Sequence, residues 1–232
     1  MGSESMPSDD APISDGPVAT SAVGMSAGRL EAFSDGVLAI VITLLILDIH
    51  VPGRGEEDLA AKLGEQWPEY VGYLLSFITV GIVWLNHHAV INILRKANHT
   101  LQTLNLLLLL PLTVLPWPTA LLAEYAGGTR GQQRLVVLVY GVTISLMSFA
   151  FNVMWRYILR HPELWKPQIT RTMLEVRNRR FNVGPVIYPL ATVVGLLNAY
   201  LFIALMLALG MFYLLPTPEV RGGHGGALRQ GP

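Results

Sequence analysis

The sequence predicts an all-α membrane protein with six transmembrane helices and both termini cytoplasmic, on three observations. Hydrophobic residues make up 52% of the 232 and charged residues 14%, with a mean hydropathy of +0.45, which is more apolar than an ordinary soluble domain. That apolar content is gathered into long uncharged segments rather than spread along the chain. The basic residues collect on one side of the topology those segments imply. Net charge is zero, which argues against a basic nucleic-acid binder. Cysteine is absent, which excludes disulfides, thiolate metal sites and cysteine nucleophiles.

Residues 1–27 are rich in Ser, Asp, Pro, Gly and Ala without an apolar run, and are expected to form a disordered cytoplasmic tail. They lack the basic start and apolar centre of a secretory signal. The membrane domain is expected over residues 28–216, followed by a flexible cytoplasmic tail over 217–232. Uncharged apolar segments lie at residues 36–47, 71–94, 101–123, 135–155 and 181–215. About 20 helical residues cross a hydrocarbon core of about 30 Å, so the second, third and fourth segments each provide one span. The last is too long for one span, and we divide it around residues 197–199. Under that topology twelve of the 16 basic residues lie on the cytoplasmic side, among them Arg29, Arg95, Lys96, Arg221 and Arg229. The basic stretch over residues 156–180 reads as topology marking, with anionic lipid headgroups as the alternative partner.

The first segment is unusual. Only twelve uncharged residues separate Asp35 from Asp48, about 18 Å of helix, which is short of a bilayer core. Exposed to lipid, it would carry a carboxylate into hydrocarbon at a cost of roughly 2.5–3.5 kcal/mol. It belongs inside the protein beside water, either lining a pore or at the centre of a bundle.

Polar groups mark three helices at similar depth. Ser34 and Asp35 lie on the first helix, Trp84, His87 and His88 near the end of the second, and Asn105 one turn into the third. Unpaired polar groups near hydrocarbon are costly, so a hydrogen-bonded cluster is expected to join Asp35 and Ser34 to the Trp84 indole, one histidine and Asn105. The neighbouring Arg29 favours an ion-pair or cap role for Asp35 over a proton relay. His87 and His88 point about 100° apart on a helix, which disfavours a metal site and favours packing and hydrogen bonding.

Three motifs carry a resemblance. The chain has Arg29-Leu-Glu-Ala-Phe33-Ser34-Asp35-Gly36 on helix one, Trp84-Leu-Asn86-His87-His88 on helix two, and Pro116-Trp-Pro118-Thr119-Ala-Leu121-Leu-Ala-Glu-Tyr125. Together they resemble the prokaryotic members of the transmembrane protein 175 family, the lysosomal-type potassium channels, over roughly residues 29–125. The resemblance implies a six-helix subunit, four copies of which surround a pore lined by helix one and conduct potassium in preference to sodium, in the cell membrane. It implies no cofactor and no bound metal beyond transient potassium. The family lacks the Thr-Val-Gly-Tyr-Gly filter of common potassium channels, and so does this chain.

By the same resemblance, Ile40, Leu44 and Leu47 fall at the apolar pore constriction and Thr43 at a pore hydroxyl. Arg29, Phe33, Ser34, Asp35, Trp84, His87, His88 and Asn105 form the polar cluster that holds helix one. Independently, Ile40, Thr43, Leu44 and Leu47 are spaced i, i+3, i+4, i+7 and share a helical face. The alternative is a proton-coupled secondary transporter using Asp35 and a histidine as relay, although no inverted repeat is visible. No placed nucleophile or His-Glu-x-x-His spacing supports an enzyme. No span carries the arginine series of a voltage sensor.

Overall fold

The computed structural model describes residues 25–53 and 58–214, with the side chains of 176, 177, 179 and 180 left aside. Of the two expected tails, residues 1–24 and 217–232 lie outside the described residues, as do Arg221 and Arg229. Met25–Ser26 is already ordered: it forms a two-residue strand (β1) antiparallel to Lys96–Ala97 (β2), pairing Met25 with Ala97. Order therefore begins ahead of residue 28, because the backbone of β1 finds its hydrogen bonds on the turn between two later helices.

The remaining elements are helical. They are α1 (Ala27–Leu44), α2 (Leu59–Glu65), α3 (Trp67–Ile91), α4 (His99–Val114), α5 (Pro116–Tyr125), α6 (Arg130–Arg160), α7 (Arg171–Gly195) and α8 (Ala199–Leu214). Among the described residues, four stretches are long and apolar enough to cross a membrane, namely Ala27–Asp48, Trp67–Ile91, His99–Tyr125 and Arg130–Arg160. Phe181–Gly195 and Ala199–Leu214 are shorter apolar helices. The break between them falls at residues 196–198, where Asn198 Oδ1 accepts from the backbone of Tyr200 and Leu201 and so caps α8.

Local chemistry explains the boundaries. Asn98 caps α4 by accepting from Leu101 N at 3.0 Å. Thr129 and Gln132 form a reciprocal capping box that starts α6. Pro111 stays inside α4, while Pro116 opens α5 at a position where its missing N–H is no loss. The short α2, with Asp58 as its cap, lies in a connection that showed no apolar signal. Helix α7 begins ten residues before its apolar part, since the basic stretch from Arg171 continues the same helix.

The core runs through the bundle. Trp155, Tyr140 and Phe202 are fully buried, Trp155 packs edge-on against Phe181 at 4.8 Å, and Tyr140 packs edge-on against Phe202 at 5.8 Å. Buried hydroxyls pair with one another: Ser76 Oγ lies 2.6 Å from Thr119 Oγ1 and 3.0 Å from Tyr140 Oη. Helices α6 and α7 approach so closely at Gly141 that a Cβ there would overlap the Thr192 side chain.

At the end of the bundle where α1 starts, three segments are laced by backbone bonds. Arg95 N donates to Leu164 O at 2.8 Å and Lys166 N to Ile93 O at 2.9 Å, beside the β1–β2 pair. Asn98 Nδ2 donates to Tyr157 Oη at 2.8 Å, joining the start of α4 to the end of α6. This collar fixes where α1 enters the bundle.

Candidate functional site

Helix α1 is two-faced. Leu30, Ser34, Leu38, Val41 and Leu45 are buried at helical spacing, while Ile40, Thr43, Leu44 and Leu47 are exposed. Ile40 is 61% and Leu47 69% exposed in a single chain, as are Leu110, Phe149 and Val193 on other helices to a similar degree, a face open to lipid or to further copies of the chain. After Leu44 the helix tightens into a 3-10 turn, Leu45–Asp48. Residues three apart eclipse in such a turn, so Leu44 and Leu47 line up more closely than α-helical spacing would allow. Thr43 Oγ1 donates to Ile40 O at 2.8 Å. With its proton committed to the backbone, that hydroxyl turns its lone pairs outward.

The side of α1 turned toward α3 is held by a half-exposed ladder of side-chain contacts. Helices α1 and α3 run antiparallel, with Glu31 and Asp35 one turn apart on the first and Trp84 and His88 one turn apart on the second. The Trp84 indole N–H donates to Asp35 Oδ1 at 3.0 Å, and His88 Nδ1 lies 2.7 Å from Glu31 Oε1. Trp84 and His88 stack on each other at 5.9 Å, and Asn92 Nδ2 meets His88 Nε2 at 2.8 Å.

A second chain of hydrogen bonds lies deeper. His87, Asn105 and Ser34 are all fully buried. Asn105 Nδ2 donates to Ser34 Oγ at 2.8 Å, and Ser34 Oγ donates to Leu30 O at 2.9 Å. Asn105 Oδ1 is then the acceptor for His87 Nε2 at 2.8 Å, so the imidazole carries its proton on Nε2. His87 Nδ1 is buried without a hydrogen-bond partner among the described residues. The adjacent histidines thus serve different helices, His87 facing α4 and His88 facing α1, as their 100° separation requires.

Two expected members stand apart. Arg29 and Phe33 are exposed, and Arg29 makes no ion pair among the described residues. Six helical steps put Arg29 about 240° from Asp35, on another face, so no Arg29–Asp35 pair forms. Asp35 lies in the third turn of α1, too far along for a cap. Its partner is the indole, and the acidic partner missed in the sequence is Glu31. The signal was available: Glu31 lies i−4 from Asp35 and His88 lies i+4 from Trp84, so one contact between these helices implies the other.

The chain is similar to known proteins. The family described as the endosomal/lysosomal potassium channel TMEM175 matches residues 29–116. A Streptomyces collinus protein named as a potassium channel is 40% identical over 188 residues, covering 81% of this chain and 91% of the relative. A Chamaesiphon minutus protein, also named as a potassium channel, is 32% identical over 191 residues, covering 81% and 93%. The crystal structure of a lysosomal potassium-selective channel TMEM175 homolog from Chamaesiphon minutus aligns with a TM-score of 0.72 at 32% identity, over 81% of this chain and 95% of that one.

Proposed function

The chain belongs to the TMEM175 family of ion channels, and from that premise we propose that it is one subunit of a homotetrameric, potassium-selective channel in the cell membrane. The observation that carries this reading is the exposed row Ile40, Thr43, Leu44 and Leu47, on the one helix whose opposite face is pinned by the polar cluster. Four copies of that row around an axis give an apolar constriction at Ile40, Leu44 and Leu47. Such a constriction closes by dewetting. The outward lone pairs of Thr43 can replace part of the hydration shell of a passing cation.

In this reading α1, α3, α4 with α5, α6, α7 and α8 provide six spans per subunit, with both termini cytoplasmic. The membrane domain expected over residues 28–216 then extends back to Met25 of β1, with tails ahead of it and over 217–232. Ser34, Asp35, Trp84, His87, His88 and Asn105 set the tilt and depth of α1 and hence the bore, while Arg29 and Phe33, exposed in one chain, face neighbouring subunits or the inner mouth.

The geometry lends less support to a proton-coupled transporter. From His87 the hydrogen bonds run through Asn105 and Ser34 to the Leu30 carbonyl, which has no proton to pass on, and Asp35 is bonded to an indole rather than to a histidine. The test is potassium efflux from liposomes holding the purified protein, with and without a proton gradient, alongside chemical cross-linking of the same sample. Passive efflux without a gradient, and cross-linked species ending at four subunits, are expected. Saturable efflux that requires the gradient would assign the transporter mechanism instead.

A further inference from the structure

The connection between α1 and α3 carries an apolar stripe that faces away from its own bundle. On α2, Leu59 and Leu63 lie one turn apart and are exposed, and Trp67, four residues further on at the first position of α3, is exposed as well. The polar side chains turn inward instead. Lys62, Glu65 and Gln66 line an open cleft with Pro52 of the connection and with Ala123 and Glu124 of α5. A surface helix normally presents its apolar stripe to the core, so this one is placed to meet something outside the chain.

The same segment grips the end of α1. Gln66 Nε2 donates to His50 O at 2.7 Å, His50 N donates to Glu69 Oε2 at 2.8 Å, and Lys62 Nζ donates to Gly53 O at 3.4 Å. His50 lies two residues beyond the 3-10 turn that ends the exposed row of α1.

We propose that α2 and Trp67 form an interfacial anchor. Leu59, Leu63 and Trp67 bed into the boundary between lipid headgroups and acyl chains, and through His50 the anchor holds the far end of α1 at a fixed depth. Depth favours lipid as the partner. Trp67 opens α3, which is long and apolar enough to cross a membrane, and its ring stacks at 5.8 Å on Tyr200 in the first turn of α8. Aromatic rings at the starts of two neighbouring apolar helices mark the headgroup level. Only Gln66 separates α2 from Trp67, so α2 lies at that level too, where an amphipathic helix rests with its apolar face toward the acyl chains. Size favours lipid over a second protein. Two leucines and one tryptophan cannot supply the roughly 800 Å² per partner of a stable interface. The anchor needs only that α3 spans, and stands apart from the potassium pathway.

The chain has no cysteine, so a nitroxide can be placed singly by Leu59→Cys, Leu63→Cys or Glu65→Cys in the full chain reconstituted in phosphatidylcholine liposomes. Electron paramagnetic resonance then reads collisions with oxygen, which concentrates among acyl chains, and with a water-soluble nickel chelate. Oxygen should dominate at Leu59 and Leu63, and nickel at Glu65. Nickel dominating at all three would overturn the anchor and leave α2 in water. Loss of both collision signals at Leu59 and Leu63, with spin broadening relieved by diluting in unlabelled chain, would overturn it in favour of a second copy. The hold on α1 has its own readout, a nitroxide at Val51→Cys. Its line shape should sharpen in Leu59→Ser combined with Leu63→Ser, which removes the anchor, and in Gln66→Leu, which keeps the anchor and breaks the bond to His50. A line shape indifferent to both changes would overturn the coupling.

Discussion

Asn105→Leu tests whether the buried chain of hydrogen bonds, rather than packing alone, fixes α1 to its neighbours. The side chain is fully buried and joins His87 Nε2 to Ser34 Oγ at 2.8 Å on either side. Leucine repeats the branched heavy-atom skeleton of asparagine with bulkier methyl ends, so a purely steric role predicts a loss of about 1–3 kcal/mol from overpacking, with no recovery on adding a second leucine. The polar account predicts more. His87 Nε2–H would lose its only acceptor in a buried site, at about 1–3 kcal/mol, and Ser34, which keeps the Leu30 carbonyl, would lose about 1 kcal/mol more. The expected sum is about 2–4 kcal/mol. Adding His87→Leu removes the orphaned donor, so the double variant should recover at least about 1 kcal/mol relative to the sum of the two single changes. Denaturant unfolding in detergent, followed by tryptophan fluorescence, measures all four corners of the cycle. Single changes that add to within about 0.5 kcal/mol, as independent sites do, would refute the reasoning.

Three further outcomes are expected. Trp84→Phe keeps the ring over His88 but deletes the donor to Asp35, and should cost about 0.5–1.5 kcal/mol in the same unfolding assay, whereas Trp84→Ala should cost more by losing the stack. Gly141→Ala drives a methyl into Thr192 and should destabilise by about 1–3 kcal/mol, with partial rescue by Thr192→Ala; Gly81→Ala, which meets nothing within 4 Å, should instead stabilise by about 0.5–1 kcal/mol. Thr43→Val preserves shape and removes the outward oxygen, so in planar bilayers it should lower potassium conductance, while Thr43→Ser should retain it.

The helical plan was legible because hydrocarbon imposes a length and composition on any span. The α6 and α3 helices and the break before α8 follow from the uncharged segments and their flanking charges. The polar cluster was legible for a related reason: Ser34, Trp84, His87 and Asn105 are expensive in an apolar setting unless paired, and only a few pairings were open. What escaped reading depended on geometry that a linear pattern does not carry. Glu31 has no evident partner in the linear sequence, because its offset of four from Asp35 gains meaning only once the antiparallel register of α1 and α3 sets it beside His88. Arg29 looked like a partner for Asp35 because it is near in sequence, yet helical rotation separates them. The 3-10 turn at Leu45–Asp48 has no distinct composition, and α2 and the β1–β2 pair are too short to leave a periodicity. The exposure of Ile40, Leu44 and Leu47 could not be told from ordinary core packing until α1 was seen to turn its other face inward.

The most direct test of the central claim is the bi-ionic reversal potential of the purified protein in planar bilayers, potassium opposite sodium, for the wild type and for Ile40→Asn, Leu44→Asn and Leu47→Asn. The account predicts unitary currents reversing toward the potassium equilibrium potential, with selectivity or conductance altered by each substitution on the exposed face of α1. Folded, inserted protein that carries no current, or currents indifferent to all three substitutions, would contradict it.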